Sequence, residues 1–409
     1  MYENLLHQSV SKQLSQDLKT DTLPGALLFS GPVSSGKLTC ALETARILSC
    51  TGKKTGYWLC DCPGCLQHKA MVNNNLILAG SRDCTPEISA ATHSFLEALK
   101  NNASYLTAAR YFYIRSVRKL TLRFNPVLWD GDDKLSKIAT IMSNIDEEIE
   151  PIDFPHQLPE LSVIEKSCSK ILEYCTKLES DFLYDSIPIA QIRNVSSWAR
   201  LKSVEGKKTI IIENADRMLE SVRNALLKIL EEPPLDTVFI LTTSRRNAIM
   251  PTILSRVRTY QFNQRSLYEQ KEVLDRVFHQ TDFDGSIDDY LLTYLPVKSD
   301  FIKEQANLFF SCVAQGSLPD IPVIIKACGS FDPRILFRIF LQSIIADSKQ
   351  LLSSPAGTQA SFELVKVVQN CWNNVGVYNQ SILSSLEQLL RDMAKINKLH
   401  GNIFKCVNL

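Results

Sequence analysis

A chain of 409 residues, 45% of them hydrophobic, has the material for the cores of two or three domains. Its net charge of +1 excludes a global basic field, so any contact with nucleic acid has to be local or shared with partners. No signal-like apolar core opens the sequence and no apolar run is long enough to span a bilayer. The expectation is a soluble cytoplasmic protein, nucleoid-associated if it works on DNA.

Helical apolar spacing begins at Leu5 and runs to Leu18. Ala26 to Ser30 is a short apolar run ending at a glycine, as in a buried parallel strand, and a helix follows from Lys37 to Leu48. Further strands are predicted at Asn75–Ala79, Lys208–Ile212 and Thr237–Leu241, with a helix from Met218 to Leu230 between the last two, stopped by Pro233 and Pro234. Strands alternating with helices predict an α/β module, a parallel sheet flanked by helices. The alternation breaks between Cys84 and about Tyr184, which reads as a mostly helical insertion (about 85–185). After Phe262 only helical patterns remain: Leu267–Phe278, Ile287–Leu295 and Phe301–Val313, then Arg334–Leu352, Ser361–Val375 and Ser381–Ile396. The expected division is 1–263, 264–325 and 326–409, with all-α second and third parts.

Gly31-Pro-Val-Ser34-Ser35-Gly36-Lys37 has the spacing of a phosphate-binding P-loop. Its glycines let backbone N–H groups turn inward onto phosphate oxygens, and the helix N-terminus adds its dipole. ATP or ADP is the expected ligand. Leu38 stands where a hydroxyl would hold magnesium, and Thr39 comes one place late. At the end of the third strand, Glu213-Asn214 replaces the Asp-Glu pair that organises magnesium and orients water, and an amide cannot act as a base. Nucleotide binding without efficient hydrolysis is therefore expected. Thr242 and Thr243 follow the fourth strand.

Cys50, Cys60, Cys62 and Cys65 offer four thiolates within sixteen positions, and Pro63-Gly64 suits a tight turn between the last two. Structural Zn²⁺ is the expected occupant of this knuckle (50–68), with His68 as a substitute for Cys60. Basic pairs at Lys207-Lys208 and Arg245-Arg246 read as exposed charged faces, or as local contacts to DNA or a partner. The Arg/Tyr-rich stretch Arg110–Arg123 reads as an insertion with a hydrophobic face.

Several segments stand in an order that resembles the clamp-loader subunits of bacterial DNA polymerase III, an AAA+ family. These are Gln191-Ile-Arg193, Glu205-Gly-Lys-Lys208, Glu213 to Met218, Asn224-Ala-Leu-Leu-Lys228, Leu230-Glu-Glu-Pro-Pro234 and Thr252-Ile-Leu-Ser-Arg256. The degraded nucleotide motifs and Ser255-Arg256-Val257, where the family has Ser-Arg-Cys, are similar to the delta-prime branch rather than to the gamma/tau motor. The resemblance implies an AAA+ module, a helical lid and a helical collar. Thr243 would fall at the first sensor position, and no lid-domain sensor arginine follows Gly316-Ser317. It also implies a hetero-pentamer with gamma/tau and delta subunits that loads the sliding clamp on primer-template DNA. Arg256 would serve as an arginine finger in a neighbour's ATP site. Intrinsic ATPase would be weak or absent. Two other readings stay open: a gamma/tau-like ATP-hydrolysing motor, and a stand-alone nucleotide-binding regulator.

Overall fold

The computed structural model describes residues 1–203, 206–376 and 380–407; Glu205, in one of the motif segments, lies outside them. Contacts divide the chain into two compact units, Met1–Tyr290 and Leu291–Leu409. The segment expected as a lid, 264–325, spans this boundary.

The first unit is built on five parallel strands: β1 (Ala26–Ser30), β2 (Leu76–Ala79), β3 (Lys208–Ile212), β4 (Thr237–Thr243) and β5 (Arg258–Gln261). Their spatial order is β2-β3-β4-β1-β5. The first four strands have every residue buried, which explains why they read as continuous apolar runs rather than alternating ones. Strand β5, which the sequence reading left out, has only Tyr260 buried. It is an edge strand whose polar residues give no apolar signal.

The two faces of the sheet bury separate cores. Leu27 and Phe29 of β1 face one way, together with Leu38, Ala41 and Leu42 of the helix Lys37–Leu48. Leu28, Ile210, Ile212, Phe239 and Leu241 face the other way and join the insertion. That insertion is helical as expected, with long helices at Thr85–Lys100, Leu106–Thr121, Leu135–Ile149 and Leu161–Asp181. Its aromatic residues are packing residues: Tyr113 stacks on Phe95 at 5.5 Å, and Trp129 lies between Phe124 and Tyr184. Its arginines are staples. Arg110 donates to the carbonyls of Ile152, Asp153 and His156 at 2.6–2.8 Å. Arg115 and Arg118 reach the last carbonyls of the helix Pro63–Ala70, at Lys69 (2.5 Å) and Ala70 (3.0 Å), where cations oppose the negative end of the helix dipole.

Lys208 departs from the exposed basic pair expected at 207–208. It opens β3, is 3% exposed, and donates its ammonium hydrogens to the Trp198 and Leu201 carbonyls. The chain segment after the helix Ile189–Arg200 is thereby tied to the sheet.

The second unit is helical, with long helices at Ser299–Gln315, Ile335–Ser348, Pro355–Gly376 and Ile382–Leu399 around a core that includes Phe309, Phe340, Leu364 and Met393. Gly316 (φ 76°) ends the first of these, and Asp320 caps the short helix that follows by accepting from the Val323 N–H at 3.1 Å. Among the described residues, no helix is long and apolar enough to cross a membrane.

Candidate functional site

The phosphate loop leaves the end of β1 and turns at once. The Gly31 N–H donates to the Thr243 carbonyl at 3.1 Å, and a Cβ at Gly31 would stand 2.6 Å from the Phe262 carbonyl oxygen. Only a glycine fits between those two strand ends. Ser34 (φ 53°) and Gly36 (φ 90°) take left-handed conformations, which brings the chain into the helix that starts at Lys37. The Ser35 hydroxyl donates to the Pro32 carbonyl at 2.8 Å, and the Ser34 hydroxyl to the Asp288 carboxylate at 2.6 Å. Arg265 holds the loop from outside, donating to the Ser34 carbonyl at 2.5 Å and to Leu6 at 2.9 Å.

Lys37 folds back over this loop. Its ammonium donates to the carbonyls of Gly31 (2.7 Å) and Pro32. Burial is the main force that pulls its pKa down to about 8, with Glu213 opposing and Arg82 adding to the effect. Leu38 is 5% exposed and packs into the core, whereas Thr39 is exposed on the outer side of the helix.

The residues at the ends of β3 and β4 are each engaged. The Glu213 carboxylate, 7% exposed, pairs with Arg123 through one oxygen and with Arg82 through the other at 3.4 Å. Burial alone would raise its pKa, but Arg123 and Arg82 hold it below the usual carboxylate range. Asn214 (φ 52°) donates its side-chain amide to the Ser81 carbonyl at 2.7 Å. Thr242 accepts from the Asn214 N–H at 3.4 Å, while Thr243 donates to Asp216 at 2.8 Å. Asp216 also takes Arg245 at 2.8 Å, so that arginine is ion-paired although its side chain is 65% exposed.

Magnesium, which a P-loop fold implies, finds its usual ligand positions altered here. The hydroxyl that would hold it is a core leucine, and the carboxylate that would face it is closed by two guanidinium groups. Those residues do not fit a divalent cation. Sequence reasoning missed Arg82 and Arg123 because each lies more than eighty residues before its carboxylate partner; no local spacing could pair them.

The four thiols come together. Sulfurs of Cys50, Cys60, Cys62 and Cys65 all lie within 4.8 Å of one another, with Cys50 and Cys60 3.8 Å apart. A tetrahedral Zn²⁺ with bonds of ~2.3 Å spaces its sulfurs by ~3.8 Å, so the donor set and its dimensions fit a closed metal site. Gly52 is required here, because a Cβ would collide with the Cys60 sulfur. Burial opposes ionisation of Cys62, yet hydrogen bonds from the Cys65 and Thr51 backbone bring its pKa down to about 6. Arg46 adds a guanidinium N–H to the Cys65 sulfur at 3.0 Å. His68 stands apart from the cluster: its Nε2 is hydrogen-bonded to Ser49 at 2.9 Å, and burial lowers its pKa to about 4.

Arg256 lies at the other edge of the sheet. Strand β5 pairs Arg258 with Leu27 and Gln261 with Ser30, so Arg256 precedes the end of the sheet opposite to the one from which the phosphate loop leaves. Four strand residues at about 3.3 Å each put roughly 13 Å between those edges. The guanidinium donates to the Thr252 carbonyl at 2.8 Å and pairs with Glu231 at 3.1 Å, with the side chain 27% exposed.

A family model described as DNA polymerase III, delta subunit, matches residues 6–125 and 137–266, more than half of the chain. The chain belongs to that family. It is a clamp-loader-family protein of DNA polymerase III. The delta-prime subunit of Bacillus subtilis is 36% identical over 96 residues, which cover 23% of this chain and 28% of that protein. The Pseudomonas aeruginosa delta-prime subunit is 35% identical over 80 residues, covering 19% and 24%. A gamma/tau subunit of Mycobacterium tuberculosis is 34% identical over 73 residues, covering 18% and 13%. The matched stretches thus span about a quarter or less of these relatives. The crystal structure of a gamma subunit-related protein from Thermotoga maritima overlaps 58% of this chain and 91% of that one, with 16% identity and a TM-score of 0.26.

Proposed function

We propose that this chain is a delta-prime-like clamp-loader subunit, a stator that donates Arg256 to the ATP site of a neighbouring gamma/tau-type subunit. The observation that carries the reading is the closure of Glu213 by Arg123 and Arg82 beside a formed phosphate loop. A chain so built can hold phosphate, while the carboxylate at the end of β3 is not open to organise a metal for hydrolysis. In this reading Gly31, Ser34, Ser35, Gly36, Lys37, Leu38 and Thr39, with Glu213 and Thr243 behind them, form a pocket for ATP or ADP. Arg256 is too far across the sheet to serve that pocket, which favours action in trans. A guanidinium placed at a leaving γ-phosphate is worth about 10³-fold or more in rate.

The partners in this reading are gamma/tau and delta subunits in a hetero-pentamer, the sliding clamp, and primer-template DNA held by the complex. Structural Zn²⁺ occupies the Cys50–Cys65 knuckle, and the helical segments 264–325 and 326–409 act as lid and collar. Reconstitution with gamma/tau and delta subunits tests the role of Arg256. Arg256→Ala is expected to assemble normally and to lower DNA-stimulated ATPase at least tenfold; unchanged ATPase removes the finger. Turnover by the isolated chain that Lys37→Ala abolishes would instead make it a motor.

A further inference from the structure

The ion pairs around Glu213 continue past it. Arg82 bridges Glu213 and Glu87, at 3.4 and 2.8 Å, and Glu87 pairs again with Lys119. Arg123, 2% exposed, closes the other side and donates to the Gly80 carbonyl at 2.7 Å, while its Nε finds no protein partner. Three cations, Arg82, Lys119 and Arg123, therefore share two carboxylates, Glu87 and Glu213. The next carboxylate, Glu179, is turned away onto the N–H groups of Cys84 and Thr85, and burial raises its pKa to about 7. Around Glu87 and Glu213, guanidinium and ammonium groups thus outnumber the carboxylates they pair with. The network sits at the end of the sheet where β2 and β3 finish and where the phosphate loop begins, and Arg82 is the member that stays one-third exposed.

In a metal-dependent P-loop the carboxylate at the end of β3 is the feature that calls in a divalent cation. Here fixed guanidinium groups already neutralise that carboxylate. We propose that the phosphate loop binds a triphosphate group without a divalent cation, Arg82 supplying the positive charge that magnesium supplies elsewhere. The proposal rests on the reading of the loop as a phosphate site and not on the role of Arg256. Arg82 is suited to this because a planar guanidinium offers several donors at once. Two of its nitrogens already hold carboxylates, which fixes its position before any ligand arrives. Arg123 acts behind it as a positioning residue, keeping Glu213 from competing for a metal.

Calorimetric titration of the full chain with ATP and with inorganic tripolyphosphate, each in excess EDTA and in excess magnesium, tests this directly. Both ligands are expected to bind in EDTA, with affinity equal to or higher than in magnesium, because magnesium neutralises the ligand charge the site is built to meet. If only ATP binds, the base is required in addition to the phosphates, and the metal comparison is read from ATP alone. Arg82→Gln should weaken binding in EDTA about tenfold or more, and Arg82→Lys by less. Thermal unfolding of each variant separates this from a failure to fold, and the wild-type metal comparison needs no variant. Binding that demands magnesium overturns the proposal and leaves the Arg256 reading standing. Absence of binding in both conditions overturns it together with the phosphate-loop reading.

Discussion

The Arg123 guanidinium, carried by the insertion, closes on the Glu213 carboxylate at the tip of β3 and spans from there to the Gly80 carbonyl at 2.7 Å. One side chain, 43 residues beyond Gly80 and 90 before Glu213, thus joins the ends of two neighbouring strands to the insertion. Both partners are buried, so neither water nor salt can replace the contact.

Removing Arg123 should therefore be costly. Arg123→Ala leaves Glu213 as a buried carboxylate with only Arg82 beside it, and a loss of about 3 kcal/mol in urea unfolding is expected. Glu213→Gln combined with Arg123→Gln should recover part of that loss, because the paired charges vanish together. If the single variant unfolds within about 0.5 kcal/mol of wild type, the pair is not holding the insertion to the sheet.

Acid should weaken the same region. Burial would raise the Glu87 pKa, but Lys119 and Arg82 hold it down at about 2, and Glu213 is also held low. Carboxyls with folded pKa values below their unfolded ones give stability that is present above the ordinary range. That stability is lost as pH falls through the folded values. Unfolding midpoints should drop between about pH 4.5 and 2, and Glu87→Gln should flatten the decline.

Lys37 gives a pH dependence of the opposite kind. With its pKa pulled down to about 8, the ammonium is mostly charged at neutrality and loses its proton in mild alkali. Phosphate prefers the charged form, so affinity for tripolyphosphate should fall as pH rises through about 8. For folding the sign is reversed: a lysine with a lowered folded pKa makes the protein gain stability as pH rises from that value towards the unfolded one. Lys37→Arg should remove the binding decline, since arginine stays charged; a decline that persists assigns it to another group.

The cysteine cluster predicts one zinc per chain, released by a strong chelator with exposure of four reactive thiols. Cys62→Ser should abolish retention, and Gly52→Ala should reduce it, because the added methyl collides with the Cys60 sulfur. His68→Ala should leave the metal in place, the ring being committed to Ser49. Metal analysis of purified variants checks all three. A loss of zinc in His68→Ala alone would redraw the ligand set.

The surface pair of Arg256 and Glu231 should matter little for stability. Glu231 is more than half exposed, so Glu231→Gln is expected to change unfolding by less than about 0.5 kcal/mol. If Arg256 works in trans, the same variant should leave clamp-loader ATPase intact or raise it by freeing the guanidinium. A collapse of ATPase in Glu231→Gln would mean that the pair positions the arginine.

The sequence alone determined the buried strands β1 to β4, the glycine turn into the helix that starts at Lys37, the cysteine cluster and the mainly helical nature of the described residues after 262. Each is a local pattern: continuous apolar runs, glycines at fixed offsets, thiols within one turn-rich stretch. Strand β5 escaped because one buried residue in four leaves no periodicity to see. Lys208 was misplaced as exposed because charge in a sequence says nothing of the carbonyls that fold back to meet it. What only the tertiary structure decided is who neutralises whom. Arg82 and Arg123 lie 131 and 90 residues from Glu213; Arg82 follows β2, which pairs with β3, and Arg123 arrives with the insertion packed on one face of the sheet. Electrostatic partners are set by distance in space, and residues so far apart in the chain become neighbours only after the cores between them are closed.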